Sequence, residues 1–112
     1  MANSVTLSSS ARGTKQFQGA FKEMFLVDAT ASFDTDVGAD AGAEFTITVP
    51  GVALGDGVVF LAPYGGDPEP NDFTYTAEVV AADTLSIAVK NAGAANTPLV
   101  TGFKVLVGRP SW

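Results

Sequence analysis

Apolar and polar residues alternate along most of this chain, and the alternation predicts strands. Phe45, Ile47 and Val49 alternate with Thr46 and Thr48. Phe73, Tyr75, Ala77 and Val79 alternate with Thr74, Thr76 and Glu78, and Leu85, Ile87 and Val89 alternate with Ser86 and Ala88. Ala81-Ala82-Asp83-Thr84 lies between the last two runs, so together they read as a β-hairpin. Phe103, Val105 and Val107 alternate with Lys104 and Leu106 in a last strand, and Gly108 to Trp112 reads as a tail. Val58 to Leu61 is a continuous apolar run, the pattern of a short strand covered on both faces.

Between two of these strands the stretch Val49 to Tyr64 reads as the organising corner of the fold. Pro50-Gly51 suits a type II turn, because Pro presets φ and Gly accepts a positive φ at the next position. Gly55-Asp56-Gly57 marks a second turn, with Asp56 expected to cap it through its own side chain. Val52 and Leu54, held between the turns, are expected to plug into the core.

Nearer the N-terminus the pattern is mixed. Phe17, Phe21 and Phe25 fall at helical spacing, but Gly19 and the β-branched and aromatic residues that follow favour a strand, with Glu23 a misfit in the period-2 reading. Ser4 to Ser8 alternates and could add an edge strand, whereas Ser9 to Thr14 reads as loop. Residues 1–15 are thus either a frayed terminus or an arm that orders against a neighbour. Asp34 to Glu44 reads as an acidic loop, Pro63 to Asp72 as a second loop and Asn91 to Thr97 as a third. The sum is seven or eight strands at intervals of roughly 10–15 residues, an all-β, single antiparallel β-sandwich over residues 16–112 with an extended N-terminal arm over 1–15. Jelly-roll and immunoglobulin-like strand orders both remain open.

Composition narrows the chemistry. The 112 residues contain no cysteine and no histidine, which removes disulfides, thiolate metal sites and every mechanism that needs an imidazole base. Twelve acidic residues stand against six basic ones, so neither nucleic acid nor an anionic membrane is an expected partner. No run approaches the roughly 20 apolar residues of a membrane span, and the first residues lack the apolar core of a secretory signal. Synthesis in a cytoplasm without export by the usual route is the expectation.

Candidate chemistry is weighed mostly by exclusion. Asp34, Asp36, Asp40 and Glu44 could meet a hard cation, but an EF-hand loop counted from Asp34 needs Gly where Ala39 stands and Glu where Phe45 stands. A solvated acidic loop is the better reading, and no metal or cofactor is expected. A carboxylate pair for glycoside hydrolysis is disfavoured because strand-borne acids such as Glu78 are single and alternate outward. Gly55-Asp56-Gly57 lacks the Lys-Ser/Thr pair and following helix of a phosphate cradle. Tyr64, Tyr75 and Trp112 are candidates for a sugar-stacking platform; Tyr75 alternates with the core set, and Trp112 is expected to dock on its own domain or on a neighbour. An enzyme is therefore not expected.

Two turn motifs carry a resemblance. Val49-Pro50-Gly51-Val52-Ala53-Leu54-Gly55-Asp56, followed by Val80-Ala81-Ala82-Asp83-Thr84-Leu85-Ser86-Ile87 and then Asn91, is similar to a pattern in small structural proteins of tailed bacteriophages. The resemblance covers residues 45–108 and rests on turn residues. It implies a β-sandwich that decorates and cements a capsid, or forms a domain of a head or tail fibre, often as an oligomer and without catalytic residues. The expectation that follows is a protein of the virion surface, made in the host cytoplasm, partnered by the major capsid protein and by copies of itself, a trimer being favoured. Partner contacts are then expected from Val5, Leu7, Arg12 and Lys15 of the arm and from Tyr64, Arg109 and Trp112. The alternative is a carbohydrate- or receptor-binding module that uses Tyr64 and the 34–44 or 63–72 loops.

Overall fold

In the computed structural model, residues 4–13, 21–34, 36–65 and 73–111 are described. They form seven strands: β1 (Ser4–Gly13), β2 (Phe21–Ser32), β3 (Gly42–Thr48), β4 (Gly57–Tyr64), β5 (Phe73–Ala81), β6 (Thr84–Asn91) and β7 (Gly102–Pro110). All pair antiparallel, in a four-stranded sheet of order β1-β2-β7-β4 and a three-stranded sheet of order β3-β6-β5. The two sheets close over one core, so the β-sandwich expected from the alternation is the architecture. In an immunoglobulin sandwich the seventh strand pairs with the sixth. Here β7 lies between β2 and β4 and β6 between β3 and β5, so the consecutive strands β6 and β7 form the spine of both sheets. That is a hairpin of strand pairs rolled into a sandwich, the jelly-roll manner of winding.

The core follows from the period-2 patterns. Phe25, Val27 and Ala29 of β2 and Phe103, Val105 and Val107 of β7 point inward and meet Leu85 and Ile87 of β6, all almost fully buried. At one end aromatic rings pack edge to face: Phe33 lies 5.2 Å from Phe45 and 6.4 Å from Phe103, and Tyr75 lies 5.4 Å from Phe103. Such pairs add to what burial alone contributes.

The turn motifs meet in space. The Val49–Val52 turn is closed by the Val52 N–H on the Val49 carbonyl at 3.4 Å, with Gly51 at φ 99°. The next turn is closed by the Asp56 N–H on the Ala53 carbonyl at 3.0 Å, with Gly55 at φ 97°. Asp83, at φ 60° in the β5–β6 hairpin, docks on the first turn. Its carboxylate accepts the Gly51 N–H at 2.8 Å, its carbonyl accepts the Val49 N–H, and its own N–H donates to the Val52 carbonyl. The two motifs are thus two halves of one lock at the end of the sandwich.

Five expectations differ from the structure. Val52 is buried, but Leu54 is 70% exposed: it occupies the corner position of the second turn, where the chain reverses outward instead of alternating as a strand does. The Val58–Leu61 run is not covered on both faces. β4 is an edge strand with a register shift between Val58 and Phe60, and this bulge turns both Val59 and Phe60 outward while Val58 and Leu61 pack on the core. Ser9 to Gly13 is strand, not loop, because an edge strand needs only its backbone to pair and its polar side chains can face solvent. β7 likewise runs through Arg109 to Pro110, where a tail was expected. Pro63 and Tyr64 extend β4, and proline is tolerated there because the strand is an edge.

Candidate functional site

Arg109 sits at the end of the inward-facing register of β7, below the paired turns. Its guanidinium grips Asp56 with two hydrogen bonds, Nε to Oδ1 and Nη2 to Oδ2, both 2.9 Å. Nη2 also donates to the Gly51 carbonyl at 2.7 Å, and Nη1 reaches Glu23 Oε2 at 3.3 Å. The same group lies 5.4 Å from the Phe25 ring centroid. Asp56 is only 3% exposed and accepts the Ala53 N–H at 2.8 Å as well, so the expected turn cap is present and doubles as the anchor for Arg109. Hydrogen bonding to Asp56 raises the Arg109 pKa above its already high ordinary value. Glu23 is the misfit of the β2 pattern because it stands opposite Arg109 across the β2–β7 ladder. The bulge between Phe21 and Glu23 then sends Phe21 to the outer face.

Tyr64 is held in a second polar cluster, on the outside of the four-stranded sheet. Its phenol crosses β7 above Gly102 and donates to Asp28 Oδ1 at 2.6 Å. A Cβ at Gly102 would stand 2.5 Å from the ring, so only glycine permits this crossing. The Lys104 ammonium lies 5.2 Å over the same ring and 3.5 Å from Asp28 Oδ2. The hydrogen bond from Tyr64, helped by Lys104, lowers the Asp28 pKa, and the same bond raises that of Tyr64. A ring engaged by its own backbone, a carboxylate and an ammonium presents less of itself to a sugar than an open platform does.

Next to that cluster the outer face carries an apolar row. The ladders place Ala11, Leu26, Leu106 and Phe60 in one row across β1, β2, β7 and β4. Leu26 and Val59 are each 49% exposed and Phe60 45%. Beside the patch the half-buried Phe21 and the buried Met24 lie over the backbone of Gly108, where a Cβ would stand 2.6 Å from the Phe21 ring. The next row, Ser9, Asp28, Lys104 and Ala62, is polar.

The opposite face, outside the three-stranded sheet, is built differently. Thr46, Thr48, Thr74, Thr76, Glu44, Glu78 and Lys90 cover it. A shallow groove over β6 is lined by Glu44, Thr76, Glu78, Ser86 and Ala88. Ser86 Oγ is buried at its floor with no hydrogen-bond partner among the described residues. Beside this sheet Asn91, fully buried, pins two loops. Its amide donates to the Val37 carbonyl at 2.9 Å and the Ala94 carbonyl at 2.8 Å, and its oxygen accepts the Gly93 N–H at 2.9 Å. The acidic loop is tied back here: Val37 pairs with Asn96, and Asp36 accepts a hydrogen bond from the Thr97 hydroxyl. Among the described residues no three acids of the chain converge as metal ligands would.

Of the residues expected at a partner contact, the described ones, Val5, Leu7, Tyr64 and Arg109, do not share one surface. Val5 is buried in the domain's own core and Leu7 packs against it, so this part of the arm is an integral edge strand. Arg109 is a brace within the subunit, and Tyr64 lies beside the apolar row. The Arg12 side chain, Lys15, Trp112, Phe17 and most of the 63–72 loop lie outside the described residues. The outward position of Leu26, Leu106 and Phe60 depends on strand register and on the β4 bulge. The single available signal was the alternation itself, which leaves Leu26 and Leu106 out of phase with their buried neighbours. No protein-family model, curated protein or solved structure matches this chain.

Proposed function

We propose that this chain is a non-enzymatic structural protein that decorates and stabilises a bacteriophage capsid, acting as a symmetric oligomer on the virion surface beside the major capsid protein. The observation that carries the reading is the two-faced sandwich: an apolar row with Leu26 and Phe60 about half exposed on one sheet, and a threonine- and glutamate-covered face on the other. Exposed large apolar groups in a contiguous patch mark a surface that another protein covers. A polar, acidic face turned to solvent keeps large particles apart by charge repulsion. Among the described residues, the displaced pKa values of Asp28, Tyr64 and Arg109 come from partners within the domain and that of Tyr75 from burial in the core, which supports a mechanical role over a chemical one. The turn motifs that resemble those of phage structural proteins form a folding lock, which supports a shared fold more than a shared site.

The test is quantitative mass spectrometry of density-banded particles from an infected lysate. A fixed ratio of this chain to the major shell protein, near a simple fraction, is the expected result. Absence from the particles, or a handful of copies each, refutes the decorating role.

A further inference from the structure

We propose that the apolar face of the four-stranded sheet is covered by a second copy of this chain, related by a two-fold axis parallel to the strands and passing between β2 and β7. The inference rests on the reading of this face as an interaction surface and names its occupant.

The argument is one of register. A two-fold axis lying in the interface along the strands places β2 over the partner's β7 and β1 over the partner's β4, with residues at the same height facing each other. The apolar row Ala11, Leu26, Leu106 and Phe60 then meets its own reverse. The small Ala11 faces the large Phe60, and Leu26 faces Leu106, on both sides of the axis. The next row is also self-complementary. Asp28 faces Lys104 and Lys104 faces Asp28, which turns two pairs within subunits into a ring of four alternating charges. Within the subunit this pair is loose, at 3.5 Å with Lys104 54% exposed, so the ammonium can share its carboxylate with a neighbour at little cost. Packed sheets lie within about 30° of each other, and near the axis that rotation shifts facing side chains by no more than their own reach.

The size of the face sets the strength. Four strands spaced about 4.8 Å apart and nine residues rising about 3.3 Å each cover roughly 570 Å² per copy. Stable interfaces commonly bury about 800 Å² per partner, so this contact falls at the small, reversible end of the range. Two-fold pairing replaces the three-fold association suggested by the resemblance. On a particle, many such weak contacts combine by avidity.

The experiment is a charge-swap series read by sedimentation equilibrium of the purified full chain at tens of micromolar. Wild type is expected to be dimeric. Asp28→Lys gives a face with two ammonium groups and Lys104→Glu one with two carboxylates, so each variant repels itself and self-associates about a hundredfold more weakly. Mixed in equal amounts, the two variants are expected to form a heterodimer, because each ammonium now faces a carboxylate across the axis. The pair inside each subunit stays broken in both, so recovery on mixing reports the contact between copies. Phe60→Asp is expected to abolish dimers with the charges intact, and circular dichroism verifies that every variant keeps its strand signal. A monomeric or trimeric wild type, or variants that fail to recover on mixing, overturns the inference. Fixed stoichiometry on density-banded particles together with a monomeric free chain overturns this pairing alone. A charge-swappable dimer missing from the particles overturns the capsid reading alone.

Discussion

Arg109→Met removes the guanidinium and leaves an unbranched apolar stem against the Phe25 ring. The Asp56 carboxylate, 3% exposed in the intact chain, then loses both guanidinium hydrogen bonds and keeps that from the Ala53 N–H. Removing one member of a buried ion pair costs about 3–5 kcal/mol, because the surviving charge is stranded away from water. Arg109 keeps about a fifth of its side chain in solvent, so the lower end, about 3 kcal/mol, is expected. For a domain of this size each kcal/mol moves the melting temperature by about 4 °C, so a drop of about 12 °C follows. Urea unfolding is the assay: the midpoint falls while the slope m stays unchanged. Asp56→Asn keeps an acceptor for the Ala53 N–H and loses the charge, and in combination with Arg109→Met it is expected to show a coupling of at least about 1.5 kcal/mol. Glu23→Gln, at the longer 3.3 Å contact, costs under about 1 kcal/mol. A loss below about 1 kcal/mol for Arg109→Met, or additive single changes, refutes the brace as the anchor of the corner.

Asn91→Ala takes the side-chain partner from the Ala94 carbonyl and the Gly93 N–H and leaves the Val37 carbonyl with the Asn96 N–H; a loss of about 2–3 kcal/mol is expected in the same urea assay, with hydrogen exchange rising first at residues 91–97. Ser86→Ala deletes a buried hydroxyl that has no partner among the described residues and is expected to raise stability by up to about 1 kcal/mol; destabilisation in differential scanning calorimetry contradicts that account. Tyr64 is expected to ionise above 10.0, read from ¹³C shifts of labelled tyrosine ζ-carbons, and to move back toward that value in Asp28→Asn. The sign follows from linkage. The raised Tyr64 pKa contributes stability below the unfolded value, lost as pH rises through the folded one, whereas the lowered Asp28 pKa contributes stability above 3.8, lost as pH falls through the folded value.

Much of this fold is legible in the sequence wherever one face of a strand is buried. The patterns at Phe45–Val49, Phe73–Val79, Leu85–Val89 and Phe103–Val107 mark β3, β5, β6 and β7 because period-2 alternation is what a half-buried strand requires. The two glycine turns are equally legible, since Gly51 and Gly55 hold a positive φ. Bulges are not. One extra residue at Val59 turns an apolar run into an outward pair, and one at Lys22 separates the outward Phe21 from Glu23. Long-range polar pairing is equally hidden: nothing near Asp56 in sequence indicates that its partner is 53 residues away, and Tyr64 finds Asp28 only across Gly102. The apolar row is invisible for the same reason, because it exists only once β1, β2, β7 and β4 are set in register.

The spine formed by β6 and β7 has a consequence for how the molecule comes into being. β2 and β4 find their partner in β7, and β3 and β5 find theirs in β6, so of the pairings in the two sheets only the β1–β2 hairpin can close before residue 84 has been made. At roughly 5–20 residues per second, the earlier strands wait for several seconds on the ribosome with unpaired edges and apolar faces exposed. Once the spine emerges, every remaining ladder becomes available together, and folding is a late, concerted event limited by the search for distant partners. A nascent chain halted after β5 is therefore a client for chaperones, and release of the last strands is the moment at which it stops being one.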